Sequence, residues 1–386
     1  MKLLTWCALL GVAAGIGCSA LAEENALSTG KALFERQWAD SVTGIGPLFN
    51  ASSCNTCHRE GGPARFTTIG GVLGARGLVV RLGRPNQSPD PYYGRQLQES
   101  AVAGLSPEAR IFPRLELSGS NGLSHMAARI DVEGPRLHSE TRTDIRIAPS
   151  LVGRAMLERI PVAAVLALAD PDDRNRDGIS GRARLIEGRL GRFGLKATAT
   201  SIEDQIATAA NVDMGLSSPD RDDPDGDCTP LETSCLQRAS SHADEDISSG
   251  EIGALAAFVR SLAQPARPEP PQIFTKAGCT ECHVPKFTSL DGVPLSPYTD
   301  LLLHDMGEGL AAGFGDEFAS PREWRTAPLI DLASRAGKRR YLHDGRAANL
   351  AEAIRWHGGE AEKAKHSFEM LPNAEQSALI FFLSSL

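Results

Sequence analysis

Aromatic residues and positive charge are both scarce in this 386-residue chain. Phenylalanine, tryptophan and tyrosine together make up 5% of the residues, and the formal net charge is −8 at pH 7. So few aromatics are unusual for an all-β protein, whose strands favour such side chains. The negative charge argues against a nucleic-acid partner and favours encounter with small basic proteins.

Long apolar runs are missing beyond the N-terminus, so no segment there reaches the roughly 20 residues that span a membrane. The apolar run at the start follows Lys2 and leads to a small-residue stretch that ends at Ala22. This order is typical of a signal peptide over residues 1–22 and predicts a periplasmic mature protein. A lipid anchor at Cys18 is the alternative, which Gly15 disfavours because such sites prefer a larger aliphatic residue there.

Cysteine is also sparse, yet four of the eight cysteines fall into two copies of one pattern. The copies are "CNTCH" and "CTECH", with Cys54, Cys57 and His58 in the first and Cys279, Cys282 and His283 in the second. A thioredoxin-type pair needs no adjacent histidine, and a zinc site needs four ligands. Two thiols followed at once by a histidine match covalent c-type haem, whose iron the histidine binds. The sequence therefore predicts two haem c groups.

Two cysteines remain in the mature chain, Cys228 and Cys235, on either side of a short loop. An oxidising compartment favours pairing of such thiols, so we predict a structural disulfide between them.

An acidic stretch offers a second metal. Asp173, Asn175 and Asp177 alternate before Gly178, as in the first half of a calcium-binding loop. Arg184 stands where the bidentate glutamate of such a loop is expected. The stretch is compatible with a calcium site and equally with a solvated acidic turn.

The chain repeats one plan twice: a helix, a haem motif and a closing helix. The first half opens with "STGKALFERQW", with Ser28 as N-cap, and closes with the amphipathic "SSGEIGALAAFVRSLA". The proline-rich "QPARPEPPQ" reads as an extended linker, and the last helix opens at Pro372. We predict a mainly α fold with two cytochrome c-like domains, each with one covalent haem. The N-terminal domain, with a long insertion, spans residues 23–264, the linker 265–272 and the C-terminal domain 273–386.

Several stretches together resemble a known family, among them "RIAPSLVGRAMLERIP", "LLLHDMGEGL" and "YLHDGRAANLAEAIRWHGGEA". The mature chain is similar to the di-haem oxidoreductases of the peroxidase-like group, which are distant relatives of the bacterial di-haem cytochrome c peroxidases. It also looks like the di-haem enzyme of methylamine-dehydrogenase maturation. The resemblance implies that the N-terminal haem reacts with hydrogen peroxide. The C-terminal haem would relay electrons from a small periplasmic donor.

The resemblance also implies a sixth ligand for the second haem. In the related peroxidases this ligand follows an "HDG" stretch, and here His357 occupies that place. Two imidazoles lower a haem potential relative to imidazole and thioether, because imidazole better stabilises ferric iron. Met306 and Met370 are the alternative ligands.

At the first haem the resemblance implies a catalytic carboxylate. Asp213 stands where the peroxidases carry a distal glutamate, and its shorter side chain leaves its reach to the reaction site open. Met214 could instead bind the iron and close the site. Phe193 falls where the peroxidases have a tryptophan between the haems.

His125 and His138 are further candidates to cap the first haem. His304 and His343 would contact propionates, backbone or the domain junction.

Two main functions follow from these expectations. The first is a peroxidase-like enzyme, in which the first haem is open and Asp213 assists cleavage of peroxide. The second is a non-catalytic electron-transfer protein with two six-coordinate haems, serving a periplasmic redox or metal-uptake system. An oxidase that acts on another protein is a third reading.

Overall fold

The computed structural model describes eight segments of the chain. They are residues 23–38, 45–69, 72–118, 122–223, 226–239, 246–262, 267–333 and 339–386. The predicted signal peptide with Cys18 lies outside the described residues, as do residues 265 and 266 of the predicted linker.

Short strands pair in antiparallel twos throughout these segments. The strands are β1 (Leu48–Phe49), β2 (Arg65–Ile69), β3 (Val72–Arg76), β4 (Leu78–Gly83), β5 (Ser100–Ala101), β6 (Ala109–Ser118), β7 (Leu123–Val132), β8 (Arg142–Ile147), β9 (Leu185–Ile186), β10 (Arg189–Leu190), β11 (Phe287–Thr288), β12 (Pro294–Leu295), β13 (Leu303–Asp305) and β14 (Glu323–Arg325). The pairs are β1–β5, β2–β3, β4–β8, β6–β7, β9–β10, β11–β12 and β13–β14.

Helices alternate with these strand pairs. They are α1 (residues 23–35), α2 (Cys54–Cys57), α3 (Arg154–Glu158), α4 (Val162–Leu166), α5 (Ile202–Met214), α6 (Thr233–Ala239), α7 (Ser249–Ser261), α8 (Gln272–Lys276), α9 (Leu350–Arg355), α10 (Glu362–Glu369) and α11 (Asn373–Ser384). None of the helices within the described segments is long and apolar enough to cross a membrane.

The prediction of a mainly α fold is wrong. Helix accounts for 31% and strand for 21% of the structure. The strands concentrate in the insertion after the first motif, where β4 buries alternate residues, Leu78, Val80 and Leu82, against β8. A period of two suits a half-buried strand, so this pattern forms a ladder rather than a helix. The domain boundaries stay a prediction.

Separate apolar clusters support the two Cys-x-x-Cys-His segments. One cluster joins α1, α5 and α7, with Trp38, Phe34 and Leu255 buried and Cys54 packed against it. Another joins α8, α9 and α11 around Phe274, and Cys279 packs against that one. Each predicted haem-attachment segment therefore lies on its own hydrophobic cluster.

Candidate functional site

The first Cys-x-x-Cys-His segment is built on a single helical turn. In α2, Cys54 and Cys57 are three residues apart, a spacing that places both side chains on one face. The amide of His58 donates to the Cys54 carbonyl at 2.9 Å, which closes the turn. The His58 Nδ1 lies 2.9 Å from the Pro149 carbonyl oxygen. Since a carbonyl only accepts, Nδ1 carries the proton and the lone pair of Nε2 is available to a metal.

The second segment repeats this construction. Cys279–Glu281 form a 3₁₀ turn, and the His283 amide donates to the Cys279 carbonyl at 2.9 Å. The His283 Nδ1 donates to the Tyr298 carbonyl oxygen at 3.0 Å. Here too the Nε2 lone pair is available, as an axial ligand of haem iron requires.

His357 has the same arrangement at the end of α9. Its Nδ1 donates to the Ala353 carbonyl oxygen at 2.8 Å. The ring lies close enough to His283 for its charge to lower the pKa of that histidine. Gly359 fixes the turn that follows, because φ is +54° and a Cβ there would meet the Asp305 carbonyl oxygen at 2.2 Å. The structure thus brings together the two imidazoles that were predicted to share one haem.

The surroundings of all three imidazoles favour the neutral form of the ring. Burial lowers the pKa of His58 to about 4 and that of His283 to about 4, and hydrogen bonds to backbone carbonyls offset this only in part. Burial also lowers the pKa of His357. Neutral imidazole is the form that binds a metal.

Asp213 is held beside the first segment by the backbone. Its carbonyl accepts from the amides of Asn50 and Ala51 at 2.8 and 3.3 Å, just before α2 begins. Its Oδ1 accepts from Gln96 Nε2 at 2.8 Å. The carboxylate is near enough to Cys57 for its charge to help raise the pKa of that thiol, after the larger effect of burial. The predicted catalytic carboxylate and the predicted attachment site are therefore neighbours.

The pKa of Asp213 is raised above its ordinary value by burial. The hydrogen bond from Gln96 and the charge of Arg81 partly oppose this rise, while Asp227 adds to it. A raised pKa makes the ionised carboxylate a stronger proton acceptor than an exposed aspartate.

Orphaned polar atoms provide a test of whether these sites fit haem. Arg81 Nε and Trp356 Nε1 are buried, and each lacks a hydrogen-bond partner within the part of the chain that the structure describes. Arg81 lies beside Asp213, and Trp356 directly precedes His357. Haem carries two propionate carboxylates that such donors would satisfy, so the residues at both sites fit the group.

His304 and His343 have side-chain partners that the sequence did not indicate. His304 donates to Asp300 Oδ2 at 2.8 Å and to Glu360 Oε2 at 2.7 Å, and its Nδ1 lies 3.9 Å from Cys282 Sγ. Cys282, Asp300 and His304 form the one close group of metal-ligating atoms found in the described segments. An ion pair on each nitrogen of the ring explains this group without a metal.

His343 stacks on Trp324 with ring centroids 4.1 Å apart. Lys196 Nζ lies 4.2 Å from the centroid of the same indole. Burial lowers the pKa of His343 well below its ordinary value, and the charges of nearby arginines add to this effect.

The alternative ligands and Phe193 differ in how deeply they are buried. Met370 is 71% exposed, whereas Met306 packs at the edge of the second cluster. Met214 is buried in the first cluster with Trp38, and Phe193 is buried in a third with Leu157.

The two histidines proposed as caps have local partners. His125 Nε2 lies 3.4 Å from Glu116 Oε2, and His138 Nδ1 accepts from the Glu140 amide.

Side-chain oxygens of the acidic turn accept hydrogen bonds from other residues of the same turn. Asp173 Oδ1 accepts from the Gly178 amide, and Asn175 Nδ2 donates to Asp177 Oδ2 at 2.8 Å. Calcium binding there stays a prediction.

Cys228 and Cys235 form a disulfide beside α6.

Several residues of the site were not predicted from the sequence. Gln96 and Arg81 belong to no motif, lie within the insertion, and are far from Asp213 in the sequence, by 117 residues for Gln96. Asp300 lies four residues before His304, but this segment is extended rather than helical, so the spacing gave no signal of an ion pair. Glu360 is 56 residues away from His304 and offered no such signal.

Two Cys-x-x-Cys-His segments, each with an imidazole whose Nε2 is available to a metal, are the features that a haem-binding oxidoreductase requires. The chain belongs to the family described as "Di-haem oxidoreductase, putative peroxidase", whose model matches residues 126–386. The second Cys-x-x-Cys-His segment lies inside that range and the first lies before it. Haem binding by the family is thereby shown, while covalent attachment stays a prediction.

Other comparisons add little. The sequence matches no curated protein. One solved structure that it resembles is a hydrazine synthase of Kuenenia stuttgartiensis, pressurised with 20 bar xenon, at 20% identity and a TM-score of 0.27. The alignment covers 42% of this chain and 63% of the synthase chain. Nothing about function is drawn from so distant a likeness.

Proposed function

We propose that this protein is a periplasmic di-haem c-type cytochrome that reduces hydrogen peroxide. One haem would be attached at Cys54 and Cys57 with His58 as ligand, and the other at Cys279 and Cys282. Haem iron supplies the redox chemistry when it is bound. The observation that carries the proposal is the Asp213 carboxyl, which is held beside the first segment and has a raised pKa.

Asp213 would move the proton that peroxide cleavage requires. Reduction of one hydrogen peroxide to two waters consumes two electrons and two protons. The ionised carboxylate would accept a proton from one peroxide oxygen and return it to the other, so that the departing oxygen leaves as water. The amide of Gln96 fixes the orientation of the carboxylate through its bond to Oδ1.

The second site would relay the electrons. His283 and His357 lie close enough to influence one another, and a backbone carbonyl orients each ring, so both could hold one haem iron. A six-coordinate haem has no open position for peroxide, so this site would serve electron transfer from a small periplasmic donor.

The bis-imidazole arrangement also favours the second candidate function, an electron-transfer protein without catalysis. Low-temperature electron paramagnetic resonance of the oxidised protein separates the two. A peroxidase should give one high-spin ferric signal and one low-spin signal, and His357→Met should alter only the low-spin one. Two low-spin haems that stay six-coordinate after partial reduction would rule out the peroxidase and leave electron transfer.

Replacement of Asp213 tests the proton-transfer role. We expect Asp213→Asn to lower kcat/KM for hydrogen peroxide by about 100-fold or more, because amide nitrogen cannot accept the proton. Asp213→Glu restores a carboxyl group and should retain part of the rate. Glu203→Gln, on the same helix but paired with Arg260 at the surface, is the matched control. Steady-state kinetics in which Asp213→Asn equals the control would contradict the role.

A further inference from the structure

Two arginines, Arg325, which is buried, and Arg154, which is half-buried, link the two predicted haem positions. Arg154 Nε donates to the Ser150 carbonyl oxygen at 2.8 Å, and Ser150 directly follows Pro149, whose carbonyl holds His58. Arg154 is also close enough to His58 for its charge to lower the pKa of that imidazole. Its guanidinium is therefore part of the immediate surroundings of the first site.

Arg325 occupies the corresponding position at the second site. Its Nη1 donates to the Thr326 carbonyl oxygen at 2.9 Å, which also accepts from Thr299 Oγ1 at 2.7 Å. Thr299 directly follows Tyr298, whose carbonyl holds His283. In both sites the residue after the histidine's carbonyl partner is a hydroxyl residue that connects to one of these arginines.

Neither guanidinium forms a direct ion pair with a carboxylate among the described residues, although the charge of Asp331 acts on Arg154 and that of Asp300 on Arg325. Arg154 donates to the Ser150 carbonyl, while Arg325, which is 8% exposed, donates to the carbonyls of Gly194 and Thr326. Arg339 adds a third positive charge nearby and pairs with Asp331 at 3.7 Å.

The two arginines also repel one another. Burial, together with the charges of Arg325 and Arg339, lowers the pKa of Arg154 to about 9. Asp331 opposes this effect at Arg154, but cations of like charge whose hydrogen bonds go only to neutral carbonyls remain costly unless an anion binds them directly.

We propose that Arg154 and Arg325 form a shared carboxylate-binding site, whose ligands are propionate groups of the two haems. This rests on the placement of the haems at His58 and His283 given above. Guanidinium binds carboxylate through two parallel hydrogen bonds, which matches the chemistry of propionate. Because the two cations are neighbours, the propionates of both haems would meet at one charged site.

Substitution of each arginine in the mature protein tests the site. Removing a cation near a haem favours ferric iron, so Arg154→Met should lower the midpoint potential of the first haem and Arg325→Met that of the second. Each should shift the other haem by a smaller amount. The resonance Raman propionate bending modes should change in the same variants. Arg159→Met, which removes a surface ion pair with Asp291, should change neither readout.

The lysine variants keep the test informative if methionine prevents folding. Arg154→Lys and Arg325→Lys retain the charge but lose the planar fork, so they should change the propionate modes and leave the potentials nearly unchanged. Unaltered propionate modes in all four variants would overturn the proposal, even if the potentials fall.

Free carboxylates are another source of the same chemistry. Titration of the wild-type protein with acetate should leave its visible spectrum unchanged. A saturable spectral change that Arg154→Met abolishes would assign the site to soluble anions and overturn the propionate assignment. Wild-type protein without covalent haem would overturn the proposed function as well, whereas haem with unmoved Raman modes overturns only this inference.

Discussion

At the scale of single residues, orientation of the imidazoles is set by the main chain. His58, His283 and His357 each donate Nδ1–H to a backbone carbonyl at 2.8 to 3.0 Å. The sequence predicted which histidines would matter, since two follow a Cys-x-x-Cys spacing. It could not predict their carbonyl partners, because any residue supplies a carbonyl and Pro149 is 91 residues away from His58.

His304 should be the residue whose charge contributes most clearly to stability. It is 3% exposed and lies between Asp300 and Glu360. Burial alone would lower its pKa, but hydrogen bonds to Asp300, Cys282 and Glu360 raise the pKa to about 12. We expect His304→Gln to lower the free energy of unfolding by about 3–5 kcal/mol at neutral pH, because two buried carboxylates lose their cation.

The pH dependence of that loss has a definite sign. The folded protein keeps the His304 proton up to about pH 12, whereas the unfolded chain releases it near pH 6.5. The contribution is therefore complete below pH 6.5 and declines as the pH rises towards 12. Urea unfolding between pH 6 and 10 should show a steeper decline for wild type than for His304→Gln. Parallel curves would contradict a charged His304.

At the scale of elements, capping and periodicity located the helices better than the strands. The predicted amphipathic helix is α7, opened by a capping box between Ser248 and Glu251, and α11 follows Pro372 as expected. Residues 23–35 are helical, so Ser28 lies within the first helix rather than at its N-cap. A residue with capping chemistry does not start a helix when the preceding residues are also helix formers.

The long hairpin of β6 and β7 was missed for another reason. Pro113 lies inside β6, and proline within a run of residues argues against a strand, even though Leu115 and Leu117 alternate there with charged residues. The alternating residues of β4, by contrast, could have been recognised.

A buried carboxyl pair joins the start of β6 to the loop before α6. Glu108 and Glu232 are 5% and 7% exposed, and burial followed by the charge of Glu232 raises the pKa of Glu108. A raised carboxyl pKa means that the folded state holds a proton which the unfolded chain releases above about pH 4.5, so stability declines as the pH rises from there.

Glu232→Gln should relieve this repulsion. We expect the variant to gain about 1–2 kcal/mol in the free energy of unfolding at pH 8 and to lose less stability between pH 6 and 9. Thermal or urea denaturation at several pH values measures both effects. Glu369→Gln, an exposed change on α10, is the control; a destabilised Glu232→Gln protein would show that the pair instead requires both carboxylates.

At the scale of the whole molecule, family membership covers residues 126–386 and leaves the first Cys-x-x-Cys-His segment outside the match. The resemblance found in the sequence was confirmed for the family. The distribution of helix and strand was not predicted, because haem motifs specify local spacing and say nothing about the insertion between them.

The net charge of −8 predicts how the donor is encountered. The rate constant for reduction of the protein by a small basic cytochrome should fall about tenfold or more as the salt concentration rises from 10 to 300 mM. Stopped-flow spectroscopy would measure it. The reaction with hydrogen peroxide, which is uncharged, should be almost insensitive to salt. Equal salt dependence of both steps would contradict electrostatic steering.

The main-chain partners of the three imidazoles have a practical consequence for redesign. A carbonyl oxygen persists under every amino-acid replacement, so positions 149, 298 and 353 can be varied without removing the acceptor that fixes each ring. Libraries that diversify these three positions would change the side chains around each histidine. The hydrogen bond that sets the tautomer of the histidine would be kept.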